Sequence, residues 1–215
     1  MADSGKRGGK PSRIERADRQ INAGHSRALD VALAKTESKI RILTTERLYA
    51  FDKNGKEIAH SSSGTKNSTS LPSSVNIKDA ILTHNHPGAG LDKTTVAGRI
   101  GRSFSGTDIA TAIGGNAAEM RAVTGTYTYS IKRPKNGWGV ADAKKAKKIG
   151  NEINTKMNKY YRENVSQAEK AYYDGKISFN QLKTTRNRAD VAAVNRTLRE
   201  TSKKYGYDYS RKRTV

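Results

Sequence analysis

Two histidines, followed downstream by a serine and an aspartate, are the residues of this chain whose types and spacing best suit metal chemistry. His84 and His86 follow the short, mostly apolar run at 80–83, and Pro87 comes directly after them. The run predicts the end of a buried strand, which the proline terminates because it has no N–H and a fixed φ. Because side chains two apart on an extended strand share a face, both imidazoles can reach one ion.

Ser105 and Asp108 predict the start of a helix, with Ser105 as N-cap and Asp108 in the first turn. If the carboxylate faces the two histidines, two nitrogens, one oxygen and a water form an open site of the catalytic zinc type. Such an ion lowers the pKa of bound water to about 7, and Ser105 can hydrogen-bond a developing oxyanion. The alternative is that both residues serve as a helix cap. The two roles are compatible, because a cap residue can also face a metal site.

The pattern H-x-H-P followed by S-x-x-D resembles the signature of the JAB/MPN (JAMM) metallopeptidase family. Its form is most similar to the RadC-like branch and to the JAB-like domains of tailed-phage minor head proteins, with weaker similarity over residues 37–209. The resemblance implies that His84, His86 and Asp108 bind zinc and that Ser105 assists the oxyanion. It also implies a mixed sheet with helices on its faces.

The family resemblance further implies a glutamate on an earlier strand as general acid and base, and Glu46 is the first candidate. Glu46 begins an alternating segment that leads to a hairpin-type turn at Asn54-Gly55. A carboxylate at the start of that strand would hydrogen-bond the attacking water, as a general base must. Glu37, predicted at a helix end, and Glu57, predicted on the following strand, are the alternatives.

Residues 88–104 make the segment between the proline and the serine longer than the family pattern. This glycine-rich segment carries Lys93, Arg99 and Arg102, and a surface insertion of this size costs little closure entropy. It is expected beside the site, as a lid, as a loop that grips the substrate or as a disordered insertion. Asp92 within it is a less favoured alternative ligand.

The chain of 215 residues has a formal net charge of +21 and contains no cysteine. The charge predicts a polyanionic partner, with nucleic acid bound through its phosphates as the first choice. The absence of cysteine excludes disulfides, thiol catalysis and thiolate–zinc sites. There is no apolar stretch of about 18–20 residues and no apparent signal peptide, so no membrane partner is expected.

The JAB/MPN resemblance, together with the order of strand-like and helical segments, implies an α/β (mixed α+β) fold in three parts. Residues 1–36 are expected to form a flexible basic terminus and a helix, 37–140 the JAB/MPN-like domain, and 141–215 a basic helical extension. In the last part, the pattern predicts a helix that breaks at 174–175 and a second one over 178–204.

Two functions from different classes are consistent with these features. The first is a zinc hydrolase that cuts an amide or isopeptide bond. The second is a structural protein with a vestigial metal site that binds DNA or a phage head, neck or portal protein. The phage resemblance implies a location in the virion and the host cytoplasm for either function, and a RadC-like factor associated with nucleic acid is a third, weaker option.

Overall fold

The structure, a computed structural model, describes residues 21–87, 100–140 and 142–214. Within these ranges one mixed sheet has the strand order β2-β1-β3-β4-β5-β6. The strands are β1 (Leu48–Phe51), β2 (Glu57–His60), β3 (Ile81–Asn85), β4 (Glu119–Val123), β5 (Tyr127–Lys132) and β6 (Asp208–Arg213). The helices are α1 (Arg27–Ile40), α2 (Gly106–Gly114), α3 (Ala143–Tyr173) and α4 (Phe179–Tyr205). The mixed α/β fold predicted from the sequence is confirmed.

Each of the four helices named above, all within the described ranges, begins at a side chain that accepts a hydrogen bond from the backbone N–H three residues later. These N-caps are Ser26, Ser105, Asp142 and Ser178, which satisfy amides that have no partner within the helix. α4 ends at Gly206, whose φ of 75° is left-handed. None of the helices in the described ranges has the combined length and apolarity needed to cross a membrane.

The sheet is antiparallel except at its centre. β1 pairs antiparallel with both β2 and β3, whereas β3 and β4 are parallel, and α2 lies in the connection between them. β5 and β6 then pair antiparallel, which makes β6 an edge strand. The predicted hairpin about Gly55 (φ +84°) is confirmed. β6 was not predicted, because its sequence, DYSRKR, has no apolar alternation.

The largest hydrophobic cluster lies between one face of the sheet and helices α2, α3 and α4. It contains Leu82 and Met120 from the sheet together with Ile109, Ile153 and Leu198 from the three helices. The long helices after residue 141 therefore share one core with the sheet. α1 contributes Leu29 and Leu33 to a smaller cluster with strand residues that alternate with those of the main cluster.

A buried ionic network lies on the side of the sheet that α1 covers. Nε of Arg121 is 2.6 Å from Oε1 of Glu37, and Nη1 is 3.0 Å from Oε1 of Glu119. Nε2 of His25 is 2.6 Å from the other oxygen of Glu119. Burial by itself would raise the pKa of Glu119, but the charge of Arg121 and the contact with His25 lower it to about 2.

Candidate metal centre

The two histidines lie where β3, a central strand, leaves the sheet. His84 is the penultimate residue of β3, and His86 continues the pairing because its N–H donates to the Val123 carbonyl at 2.9 Å. This extended backbone directs both rings to the same side. Their Nε2 atoms are 2.8 Å apart, as the spacing of two residues predicted.

Asp108 completes the group from the first turn of α2. One carboxylate oxygen is 3.5 Å from Nε2 of His84, and the other is 3.8 Å from Nε2 of His86. The potential ligand atoms of these three residues all lie within 4.8 Å of one another, so the group could hold a metal ion. Two imidazoles and a carboxylate leave further coordination positions open for water or substrate.

A capping box fixes Asp108 at the start of α2. Oγ of Ser105 accepts from the Asp108 N–H at 3.2 Å, while the carboxylate accepts from the Ser105 N–H at 2.7 Å. The Ser105 hydroxyl also donates to the carboxylate at 2.8 Å. The capping interpretation of these two residues is therefore realised. In this arrangement the one proton of the Ser105 hydroxyl is directed at Asp108, and an oxyanion role requires that hydroxyl to rotate.

The charge states of the centre suit a bound cation. Burial lowers the pKa of His84 to about 4 and outweighs the nearby Asp108, which raises it. Burial would raise the pKa of Asp108, but the two imidazoles and the Ser105 hydrogen bonds lower it. Near pH 7 the group thus offers a neutral His84 ring and an ionised carboxylate, the forms that bind a metal.

The two imidazole rings differ in the hydrogen-bond partners of their Nδ1 atoms. Nδ1 of His86 lies 3.1 Å from the carbonyl oxygen of Arg102, which favours the tautomer whose Nε2 is free for a metal. Nδ1 of His84 has no hydrogen-bond partner of regular geometry within the described ranges. The Arg121 carbonyl nevertheless acts on this ring as an acceptor and raises its pKa.

Glu46 lies two residues before β1 and lines the same cavity as the three candidate ligands. Its backbone N–H donates to the Thr65 carbonyl at 2.7 Å, and the residue is 8% exposed. Burial raises the pKa of Glu46 to about 7, against an opposing effect of His86 and with a further increase from Asp108. A carboxyl group with a pKa near neutrality can both accept and return a proton.

The two alternative glutamates lie elsewhere. Glu37 belongs to the buried network beneath α1, on the opposite side of the sheet from the histidines. Glu57 is exposed on β2, and its carboxylate is 2.7 Å from Nδ1 of His60. Of the three candidates for a general base, Glu46 is therefore the one whose position suits the role.

The cavity has a volume of about 790 Å³ and is lined by both polar and apolar side chains. Residues 67–70 contribute one amide and three hydroxyl side chains to the polar lining. The apolar lining comes from Leu48, Leu71, Val75, Ile77, Leu82 and Met120. A cavity of this size lies within the range of about 300–1,000 Å³ that is usual for ligand-binding clefts.

Arg102, which the sequence placed in the insertion, supports the centre through Asp190, and the sequence analysis did not predict this pairing. The Arg102 guanidinium donates to both carboxylate oxygens of Asp190 on α4, with Nε to Oδ2 at 2.8 Å. This pair holds the backbone whose carbonyl contacts His86. The pairing joins residues 88 positions apart, and no local pattern signals it. The lid predicted over 88–104 and the alternative ligand Asp92 fall largely or wholly on residues 88–99, outside the described residues.

Two glycines allow α3 to approach the helix that carries Asp108. The backbones of Gly106 and Gly150 are so close that a Cβ on either residue would overlap the carbonyl oxygen of the other. The Gly106 N–H also donates to Oδ1 of Asn154 at 2.8 Å. α3 thereby fixes the start of α2, and with it the position of the carboxylate.

These features define a mixed α/β protein with a candidate metal centre of two histidines and one carboxylate, beside a carboxyl group of raised pKa. No protein-family model matches the chain, and no match was found among curated proteins or solved structures.

Proposed function

We propose that this chain is a zinc hydrolase of the JAMM type that cleaves an amide or isopeptide bond. The observation that carries the proposal is the convergence of His84, His86 and Asp108 in a cavity that Glu46 also lines. Two imidazole nitrogens, one carboxylate oxygen and an open position form a ligand set that zinc adopts in hydrolases. The resemblance of H-x-H-P and S-x-x-D to the JAB/MPN signature adds independent support from the sequence.

The residues divide the chemistry among them. A zinc ion in this site would supply Lewis-acid activation of water and of the scissile carbonyl. Glu46 accepts the proton of the attacking water and returns it to the leaving nitrogen, which its pKa of about 7 allows. Ser105, once its hydroxyl turns from Asp108, donates to the oxyanion. The apolar and polar side chains that line the cavity contact the substrate segment.

From the same resemblance we also propose that this protein comes from a tailed phage. In that setting the chain acts in the virion or the host cytoplasm, next to head, neck or portal proteins. The insertion at 88–104 departs from the family pattern, and its residue Arg102 lines the cavity. This segment would therefore adapt the site to a substrate different from those of the family.

A second candidate function is a metal site without turnover. The observation that favours it is the Ser105 hydroxyl, whose proton is engaged by Asp108 rather than directed into the cavity. Such a protein would bind zinc and gain stability from it, but it would not hydrolyse peptides.

The zinc content of the purified protein distinguishes both candidate functions from a protein that has no metal site. We expect purified wild-type protein to hold about one zinc ion per chain and the His84→Ala/His86→Ala variant to hold essentially none. Inductively coupled plasma mass spectrometry measures this directly. His60→Ala, which removes an exposed histidine on β2, is the matched control and should retain the ion. Equal zinc content in the wild type and the double variant would exclude the proposed hydrolase.

The Arg102–Asp190 pair leads to a second prediction. Asp190→Asn should weaken zinc binding about 10-fold, because the carbonyl that orients His86 loses its anchor on α4. Competition with a chromogenic chelator measures the affinity. Glu169→Gln breaks a different Arg–carboxylate pair of the same helical hairpin and should leave the affinity unchanged. An Asp190→Asn protein that binds zinc as tightly as the wild type would show that the pair does not act on the centre.

A further inference from the structure

One face of α4 carries a row of exposed basic side chains. Arg188, Arg196, Arg199 and Lys203 are all exposed and, with Ala192 between the first two, recur at steps of three or four residues. At a rise of about 1.5 Å per residue, the row extends for about 22 Å along the helix. It lies away from the metal centre, because none of its members lines that cavity.

The edge strand β6 forms the opposite wall of a groove beside this row. Arg211 on β6 lines a cavity of about 470 Å³ together with Asn195, Arg196 and Arg199 of α4. The Arg211 guanidinium is held over the Tyr127 ring, 5.1 Å from its centroid. We call this feature, between Ala192–Glu200 and Arg211, the α4–β6 groove. Arginines from both walls face the same space.

The groove has an excess of positive charge that its own acidic residue does not neutralise. Glu200 also lines it, but its carboxylate is already bound by Lys156 at 2.7 Å and by Arg196 at 3.1 Å. Neither Arg199 nor Arg211 forms an ion pair with a carboxylate among the residues the structure describes. The charges of these two guanidinium groups are therefore not neutralised by a carboxylate of the described residues and can attract an external anion.

We propose that the α4–β6 groove binds the sugar-phosphate backbone of a nucleic acid. Guanidinium groups match the geometry of phosphate oxygens and bind them through paired hydrogen bonds. A row about 22 Å long can contact several phosphates in succession, since each strand of a duplex carries one about every 3.4 Å. The net charge of +21 strengthens the approach of any polyanion.

The composition of the groove favours nucleic acid over an acidic protein. Protein interfaces centre on buried apolar and aromatic anchors, whereas Ala192 is the one apolar residue among those that line this groove. Of the large exposed hydrophobic side chains among the described residues, Ile42 and Tyr173 lie outside α4, and Phe179 is the first residue of α4, outside the lining of the groove. The inference goes beyond the hydrolase proposal and does not depend on it.

A matched pair of double variants tests the location. Arg199→Gln/Arg211→Gln removes two charges from the groove, and Lys147→Gln/Lys148→Gln removes two exposed charges from the start of α3. Fluorescence anisotropy with a short duplex DNA of random sequence gives the affinity of the full chain. We expect the groove variant to bind about 10-fold more weakly, with a salt slope reduced by about 2, and the control to change less than twofold.

The same assay contains the outcomes that would overturn the proposal. Equal weakening by both double variants would show diffuse charge rather than a site. Displacement of the DNA by polyglutamate as readily as by unlabelled DNA of equal charge would assign the groove to an acidic protein. A duplex RNA of the same sequence shows which backbone is preferred, and binding of either supports the proposal. The His84→Ala/His86→Ala protein should bind DNA with the affinity of the wild type. The test of DNA binding is therefore independent of the test of the hydrolase proposal.

Discussion

Replacing Glu46 by glutamine is expected to lower the rate constant for peptide or isopeptide hydrolysis by about 100-fold to 10,000-fold, the usual contribution of a general base. Glutamine keeps the size and hydrogen-bonding capacity of the side chain but cannot accept the proton of the attacking water. Zinc should remain bound, because Glu46 is not among the three residues whose ligand atoms converge. Turnover of peptide and isopeptide substrates and zinc content are measured on the same sample.

Glu57→Gln provides the control, since that carboxylate is exposed on β2 and lies outside the cavity. It should retain wild-type activity. Full activity in the Glu46→Gln protein would mean that another group serves as the base. Loss of both zinc and activity would instead make Glu46 a metal ligand. A wild type that binds zinc but cleaves no substrate would support the site without turnover.

Replacing Glu119 by glutamine is expected to lower the free energy of unfolding by about 3 kcal/mol at pH 7. The carboxylate is 2% exposed and accepts hydrogen bonds from Arg121 and Ser130 beside its contact with His25. An amide in its place leaves the Arg121 charge only partly compensated, and uncompensated buried charge is strongly destabilising. Urea denaturation followed by circular dichroism measures the difference from the wild type.

The pH dependence of that difference identifies its cause. The folded pKa of Glu119 is about 2, below its ordinary value of 4.5, so the folded state binds this proton less readily than the unfolded chain. The stabilisation is therefore fully present above about pH 4.5 and is lost as the pH falls toward 2. The two proteins should converge in that window. A gap that stays constant down to pH 2 would contradict an ionic origin, and Glu57→Gln should stay within about 0.5 kcal/mol throughout.

The part of the centre that could be predicted from the sequence consists of local patterns. The alternation of an extended strand brings His84 and His86 to one side, and a serine three residues before Asp108 marks a helix start. Both patterns depend on neighbours within a few positions. The same holds for the hairpin at Gly55 and the helix end at Gly206, where the backbone takes a positive φ.

What the sequence could not predict depends on residues that are distant along the chain. Glu46 was the first candidate from the sequence, but the side of the sheet that separates it from Glu37 depends on tertiary packing, which the local pattern does not specify. The contact of Arg102 with Asp190 links the insertion to α4. β6 forms from a polar segment because β5 offers it a free edge, a tertiary influence that overrides the weak local signal.

The close approach of Gly106 and Gly150 has a practical consequence for anyone who shortens this protein. A fragment ending near residue 140 would contain every side chain proposed to take part in the reaction. It would nevertheless lack the helix against which α2 is seated, the aspartate that anchors Arg102 and the strand that closes the sheet. Expression trials of a shorter form should therefore retain the polypeptide through Arg213.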